Sequence, residues 1–239
     1  ALRKMLDVFL DAEMPLHART SAGGGVLMMR EIVADFEDKE EFRDRVAALL
    51  NAEQPELRQR AALLLAEWEH DWAPLQADVL AALSAEDYQV RYAVFRIASA
   101  RGDDLRSAED ELIKMVASDV EQDRQNAASL LDRIGEPSQK AIEALLTAML
   151  KVDGEYERSS LAEPLLNDPA GRAALLKFAE TATDEEKTKI VALYTDLYDE
   201  QLEEVSGEIA LAKAGLASAD EKLQYASARA LARLNPESP

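Results

Sequence analysis

The sequence predicts an all-α solenoid built from about seven antiparallel helix pairs, and three observations support this prediction. First, one residue pattern returns every 33 or 34 residues. Second, the apolar residues within each copy are three and four positions apart, which places them on one face of a helix. Third, Ala, Leu and Glu are abundant and no run of strand-like alternation is visible, which favours helices. A fixed period of this size indicates stacked copies of one small unit.

Two consecutive positions mark each copy, and we call them the first and second anchor positions. A pair of small or apolar residues follows three positions later, as in Ala61-Ala62 and Ala127-Ala128, and it suits close contact between helices. We expect each anchor to open the second helix of a pair. The anchor residues are Leu57-Arg58, Val90-Arg91, Asp123-Arg124, Glu157-Arg158, Ile190-Val191 and Leu223-Gln224.

A second apolar segment precedes each of the first four anchors and predicts the first helix of the pair. One period before Leu57 lies Gly24, and the segment Ala18 to Gly25, with its three consecutive glycines, is expected to connect the first two helices. Because each pair in a solenoid contacts only its neighbours, we predict one domain over residues 1–239. Within it, 1–36 form an atypical N-terminal capping pair, 37–235 the repeats and 236–239 a tail. The apolar segments are Val46 to Leu50, Val79 to Leu83, Leu112 to Val116 and Leu145 to Leu150.

The segment from Asp123 to Gly135 resembles the second helix of a HEAT repeat, and so does Val90 to Ser99. The resemblance covers roughly residues 40–235 and rests on a degenerate motif: an Arg, a pair of small residues and a Leu at fixed offsets. It implies a right-handed solenoid with the second helices on the concave face and the first helices on the convex face. Tetratricopeptide and ankyrin repeats have a similar length, but their Trp-Leu-Gly-Tyr and Thr-Pro-Leu-His motifs are absent.

The net charge of the chain is −20, from 47 acidic and 27 basic residues. This excess of carboxylates opposes non-specific binding to nucleic acid and favours basic partners. The chain has no cysteine, which excludes disulfides, thiol catalysis and cysteine-based zinc sites. No apolar run approaches the roughly 20 residues that span a bilayer, and no signal peptide is visible. A cytoplasmic location is expected, and a periplasmic one stays open if a leader preceded Ala1.

The arginines of the second anchor position have two interpretations. They pair with acids near the helix starts, or they form a basic stripe for an anionic peptide or a phosphate. The aromatic residues have two as well, because they either pack between layers or form a binding surface with exposed tryptophan and tyrosine. The candidate partner-binding residues are Arg58, Arg91, Arg124, Arg158, Trp72, Tyr88, Tyr92 and Tyr225.

The function that these patterns favour is non-catalytic protein binding or scaffolding on the concave face of the solenoid. The expected partner is another protein, in particular a basic one, and neither direct nucleic-acid binding nor a membrane span is expected. One alternative is an acidic inhibitor or immunity-type protein that covers a basic, nucleic-acid-binding partner. The other is an enzyme similar to the lyases among HEAT-like proteins. No catalytic, metal-binding or cofactor-binding residue is predicted, and the oligomeric state stays open.

Overall fold

The computed structural model describes residues 1–29, 37, 39–67, 76–83, 88–99, 102–195, 197 and 205–234. Every regular element in these ranges is helical, and two short 3₁₀ helices, Leu49–Asn51 and Gly102–Ala108, accompany the α-helices. The α-helices are α1 Leu2–Leu10, α2 Leu16–Met28, α3 Lys39–Ala48, α4 Pro55–Glu67, α5 Gln76–Leu83, α6 Tyr88–Ser99, α7 Glu109–Val116, α8 Glu121–Ile134, α9 Gln139–Lys151, α10 Glu155–Asn167, α11 Pro169–Ala179, α12 Asp184–Leu193, α13 Ser206–Leu216 and α14 Glu221–Leu234.

The helices of the described ranges follow one another as seven consecutive pairs, α1 with α2 through α13 with α14. The predicted all-α repeat architecture is therefore confirmed. The six anchors lie near the starts of α4, α6, α8, α10 and α14 and in the last turns of α12. The first anchor position is buried in every copy, by Leu57, Val90, Asp123, Glu157, Ile190 and Leu223.

Contacts between residues divide the chain into two compact units, Ala1–Glu111 and Leu112–Pro239. In the first unit, α1 packs on α2, α5 packs on α6, and the second helices α2, α4 and α6 contact one another in sequence. Its core contains the fully buried side chains of Phe9, Phe42, Leu57 and Leu83. The single domain expected over residues 1–239 stays a prediction, and the tail 236–239 lies outside the described residues.

The second unit repeats the same contacts with different helices. Here α9 packs on α10 and α13 on α14, while the second helices contact each other as α8 with α10 and α12 with α14. Leu112, Leu131, Leu145 and Leu165 are fully buried between them. In this unit α8 therefore lies beside α10 and α12 beside α14, and we call the exposed residues of these four second helices the second-helix surface.

The glycine-rich segment of the first pair differs from the expectation. Gly23 to Gly25 lie inside α2, so the predicted connection at Ala18 to Gly25 is wrong. A Cβ atom on Gly23 would lie 2.9 Å from the ring of Phe9, and one on Gly25 would collide with the methyl carbon of Met5. The missing side chains let α1 approach α2 closely, and this packing stabilises a helix in a segment of low helix propensity.

Side-chain caps fix several helix starts in the second unit. The Ser138 side chain accepts a hydrogen bond from the Ala141 amide at 3.3 Å at the start of α9. The Asp168 carboxylate accepts one from the Gly171 amide at 2.9 Å, directly before Pro169 at the start of α11. Thr183 and Glu186 form a reciprocal capping box at the start of α12. Such caps satisfy amides that have no partner inside the helix.

Candidate partner-binding surface

The side chain at the second anchor position is hydrogen-bonded to the turn that precedes its own helix. In four copies its side chain donates a hydrogen bond to the carbonyl oxygen six residues earlier. Gln224 makes the same contact as the arginines, so this position fastens the second helix to the end of the first one. The four contacts are Arg58 to Ala52 at 2.7 Å, Arg124 to Ser118 at 2.7 Å, Arg158 to Val152 at 3.2 Å and Gln224 to Ser218 at 2.6 Å.

Two of these arginines also bind the next carbonyl of the turn. Arg58 donates to Glu53 and Arg158 donates to Asp153, both at 3.0 Å. The last carbonyls of a helix lack partners within it, and charged donors bind them well. The guanidinium groups of Arg58 and Arg158 therefore serve the fold where the structure describes them. A binding role for them stays a prediction.

Arg124 has a second partner in the following repeat. Its Nε atom lies 2.7 Å from Oε1 of Glu157, 33 residues along the chain. The two side chains are only 17% and 10% exposed, so the pair is largely shielded from water. Glu157 occupies the first anchor position, which is apolar in most copies. The arginine of one repeat thus neutralises an acid buried in the next, as the structural interpretation of the arginine series expected.

For three more of the predicted residues the structure gives the helix in which they lie, and one predicted residue is not described. Arg91 is half-buried in α6. Tyr88 and Tyr92 lie in the same helix, with Tyr88 as its first residue. Trp72 lies outside the described residues. The structure therefore brings Arg91, Tyr88 and Tyr92 onto one helix of the first unit, and their binding role stays a prediction.

Tyr225 is 68% exposed on α14 and lines a groove of about 420 Å³ between α12 and α14. Tyr156, on α10, is 78% exposed and was not among the predicted residues. It lies two positions before Arg158, where no apolar pattern of the repeat draws attention to it. Both tyrosines belong to second helices, so the second-helix surface of the second unit carries two exposed aromatic side chains.

An acidic patch, formed by Asp132 and Glu163, lies on the same surface where α8 and α10 meet. Burial raises the pKa of the Glu163 carboxyl, and the negative charge of Asp132 raises it further. Asn167 donates a hydrogen bond of 2.7 Å to Asp132 and holds that carboxylate in place. Like charges held close together repel, and a bound cation would relieve this repulsion.

A largely buried ion pair joins two helices of the second unit, and a buried tyrosine lies beside it. Nε and Nη2 of Arg172 donate to Oε1 of Glu208 at 2.9 and 2.7 Å, and the Glu208 side chain is only 2% exposed. Burial raises the pKa of the neighbouring Tyr194 hydroxyl above its ordinary value. The charge of Glu208 adds to this effect and Arg172 opposes it. The Tyr194 hydroxyl therefore keeps its proton, and the Arg172–Glu208 pair joins α11 to α13.

Two further grooves of the second unit open where a turn meets the next helix pair. One has a volume of about 630 Å³ and contains Arg124 and Glu157 on its wall. The other has a volume of about 610 Å³ and a wall that includes Leu176, Leu211 and Leu223. Among the residues that the structure describes, no group of three or more acidic or histidine side chains could hold a metal ion. None of the described helices is long and apolar enough to cross a bilayer.

Comparison with known proteins supports the fold. No protein-family model matches the sequence, and the search of curated proteins found no match. Two engineered proteins of known crystal structure match 98% of this chain: one at a TM-score of 0.52 with 16% identity over 96% of its own length, the other at 0.50 with 18% identity over 68%. A chain in a structure of Kap95p bound to RanGDP matches 98% of this chain and 35% of its own length, with a TM-score of 0.58 and 12% identity. At these identities the likeness shows the fold alone, and the predicted all-α helical-repeat fold is confirmed.

Proposed function

We propose that this chain is a non-catalytic protein-binding or scaffolding module, and that its second-helix surface is the part that contacts the partner. The observation that carries the proposal is the exposure of Tyr156 on α10 and Tyr225 on α14, two second helices of the second unit, at 78% and 68%. Tyrosine is enriched where proteins bind each other, because it buries a large apolar ring while its hydroxyl finds a hydrogen-bond partner. Two such exposed rings on second helices of the same unit favour contact with another protein.

The fold comparison supports the proposal by analogy. One matched structure contains Kap95p bound to RanGDP, in which Kap95p binding induces the RanGDP switch loops to adopt the GTP-bound conformation. A likeness of fold raises the expectation of a similar use, but function depends on the particular side chains of a site. In this chain, the side chains on which the proposed function depends are the two exposed tyrosines and the acidic patch.

The groups with shifted pKa values support a non-catalytic role. Catalytic groups with shifted pKa values usually converge on one cleft. Here Glu163 lies on α10 beside Asp132, Glu186 caps the start of α12, and Tyr194 is buried in the core. None of these three residues lines any of the three grooves described above.

A second candidate function is an acidic inhibitor that covers a basic partner. The net charge of −20 favours electrostatic attraction to such a protein, and the Asp132–Glu163 patch offers a place for one of its cations. Attraction of this kind weakens as salt screens the charges. The salt dependence of binding therefore separates the two candidates.

The test is affinity capture from an extract of the source organism, at about 0.05 M and about 0.5 M salt. We expect the wild type and Leu216→Ala to capture the same protein, and Tyr156→Ala/Tyr225→Ala to lose it. Leu216 is a matched control because it is an exposed apolar residue, at 44%, on the first helix α13. Capture by the tyrosine variant at the wild-type level would contradict the proposed surface, and failure of the wild type to capture any protein at either salt would contradict the function.

The same samples distinguish the inhibitor. An inhibitor of a basic partner loses most of its capture at high salt, and Asp132→Asn/Glu163→Gln weakens it at low salt. Capture that survives high salt and is unaffected by these two substitutions would contradict the inhibitor and leave the scaffold.

A further inference from the structure

The groove between α12 and α14 differs in charge from the rest of the protein. Helix α14 carries Lys222, Arg229 and Arg233 against a single carboxylate, Glu221, so it is locally cationic in a chain of net charge −20. Lys222 and Arg229 line the groove with Tyr225 and Glu221. A local excess of cations in a strongly acidic protein is therefore concentrated at one groove of the second-helix surface.

The two groove cations are not used by the fold. Within the described ranges, neither Lys222 nor Arg229 has a hydrogen bond or an ion pair, and both are exposed. The third cation of the helix differs, because Arg233 donates two hydrogen bonds to the carbonyl of Leu197, at 2.9 and 2.5 Å. Lys222 and Arg229 are therefore available for an anionic ligand, whereas Arg233 is structural.

The spacing along α14 places these side chains in one row. Lys222, Tyr225 and Arg229 lie at positions i, i+3 and i+7, which share one face of a helix. Seven residues of helix advance about 10 Å, so the two cations flank the tyrosine ring at that spacing. Thr188 and Ala192 line the opposite wall of the groove, from α12, and these short side chains leave the groove open.

We propose that this groove binds an extended acidic segment of the partner protein, with one carboxylate at Lys222, another at Arg229, and an apolar residue between them on Tyr225. A polyproline II segment advances about 3.1 Å per residue and repeats its orientation every third residue. Two acidic residues three apart in such a segment present carboxylates on the same side about 9 Å apart, which matches the row. Aromatic side chains in grooves commonly bind segments of this conformation.

This proposal rests on the proposed protein-binding function, since it names the segment that the second-helix surface would contact. Single-stranded nucleic acid also combines negative charge with rings that stack on tyrosine. The net charge of −20 opposes it, because every phosphate outside the groove would meet an acidic surface. A peptide is therefore the occupant that the charges favour, and an oligonucleotide is an outcome of the test.

The probe is the peptide acetyl-Gly-Pro-Glu-Pro-Pro-Glu-Pro-Gly-amide, titrated into the full chain at low salt and followed by amide chemical shifts. We expect saturable binding below about 1 mM, with the largest shifts at the groove residues. Lys222→Gln and Arg229→Gln each weaken binding by about threefold, as expected for exposed charge pairs. Tyr225→Ala weakens it further, and Tyr225→Phe retains it. Lys213→Gln, an exposed lysine of α13 outside the groove, leaves it unchanged.

Three results would overturn the proposal. The first is no binding of this peptide, or equal binding of the same peptide with glutamine in place of glutamate. The second is stronger binding of an oligothymidylate than of the peptide. The third is full capture of the partner protein by Lys222→Gln/Arg229→Gln, together with loss of capture by Tyr225→Ala. This result would reject the acidic segment and leave the proposed function intact.

Discussion

Nε of Arg124, at the second anchor position of one repeat, lies 2.7 Å from Oε1 of Glu157, at the first anchor position of the next repeat. The same guanidinium donates to the Ser118 carbonyl of its own turn. One side chain thus joins the two helices of its own repeat and neutralises an acid buried in the next. Arg124 therefore has a direct role in stacking, whereas the sequence left the role of the arginine series open between two interpretations.

Removing this arginine is expected to destabilise the second unit. Arg124→Met leaves the Glu157 carboxylate buried without its partner, so the free energy of unfolding should fall by about 3 kcal/mol. The double variant Arg124→Met/Glu157→Met should lose less, because no charge is then left buried. Urea denaturation of both, with the exposed Arg133→Met on the same helix as a control, measures the coupling. Equal losses for Arg124→Met and Arg133→Met would contradict the role of this pair.

Replacing a small residue of the repeat by a larger one should destabilise the protein only where a neighbouring helix covers that residue. Ala128 and Ala228 occupy the same repeat position, yet Ala128 is fully buried and Ala228 is exposed. Ala128→Leu should cost about 1–3 kcal/mol through overpacking, whereas Ala228→Leu should change stability by less than about 0.5 kcal/mol. Thermal and urea denaturation measure both variants. A similar effect at the two positions would mean that the helices do not stack as described.

Alanine substitutions at Gly23 and Gly24 of α2 should change the stability of the protein in opposite directions. A Cβ atom on Gly24 would have its nearest neighbour at 3.9 Å, so Gly24→Ala should stabilise the helix by about 0.5–1 kcal/mol. A Cβ atom on Gly23 would lie 2.9 Å from the buried Phe9 ring, so Gly23→Ala should destabilise the first unit. The difference in melting temperature between the two variants is the measurement. Stabilisation by both would show that α1 does not approach α2 at Gly23.

The pKa of Glu163 should depend on Asp132. Burial and the Asp132 charge both raise it in the folded protein. The folded protein therefore binds this proton more tightly than the unfolded chain does. Its contribution to stability is most favourable below the ordinary glutamate pKa and declines as the pH rises through the raised value.

An NMR titration of the Glu163 carboxyl carbon tests this relationship. In Asp132→Asn the pKa of Glu163 should fall toward its ordinary value without reaching it, because the effect of burial remains. The asparagine keeps an oxygen that can accept the hydrogen bond from Asn167. Asp153→Asn, at an exposed position of the same unit, should leave the Glu163 pKa unchanged. An unaltered Glu163 pKa in Asp132→Asn would remove the evidence for a repulsive acidic patch.

Much of the fold could be predicted from the sequence because helical repeats are built from local patterns. The apolar spacing and the period placed Leu57, Val90 and Leu223 in the core, and all three are buried. The glycine triplet was misjudged because intrinsic propensity favours a connection, whereas the Phe9 ring that packs on Gly23 belongs to another helix. Contacts between helices decide such cases, and one sequence does not display them.

The candidate surface was predicted only in part, for a similar reason. Tyr225 shares a repeat position with Tyr92, which drew attention to it, whereas Tyr156 has no such counterpart and was missed. The proposed binding groove requires that Lys222 and Arg229 have no partner within the described residues. Whether a side chain finds a partner depends on which residues pack around it in the fold, and the sequence does not show this. The sequence also offered no sign that Arg172 pairs with the buried Glu208, because many acidic residues lie at similar distances along the chain.

The most direct test of the central claim, that the second-helix surface binds a partner protein, is site-specific photo-crosslinking. A benzophenone side chain replaces Tyr156 or Tyr225 on the second helices, or Leu216 on the first helix α13, and the crosslinked product is identified by mass spectrometry. We predict a crosslink to the same partner protein from Tyr156 and from Tyr225, and none from Leu216. Crosslinks from Leu216 alone would contradict this account.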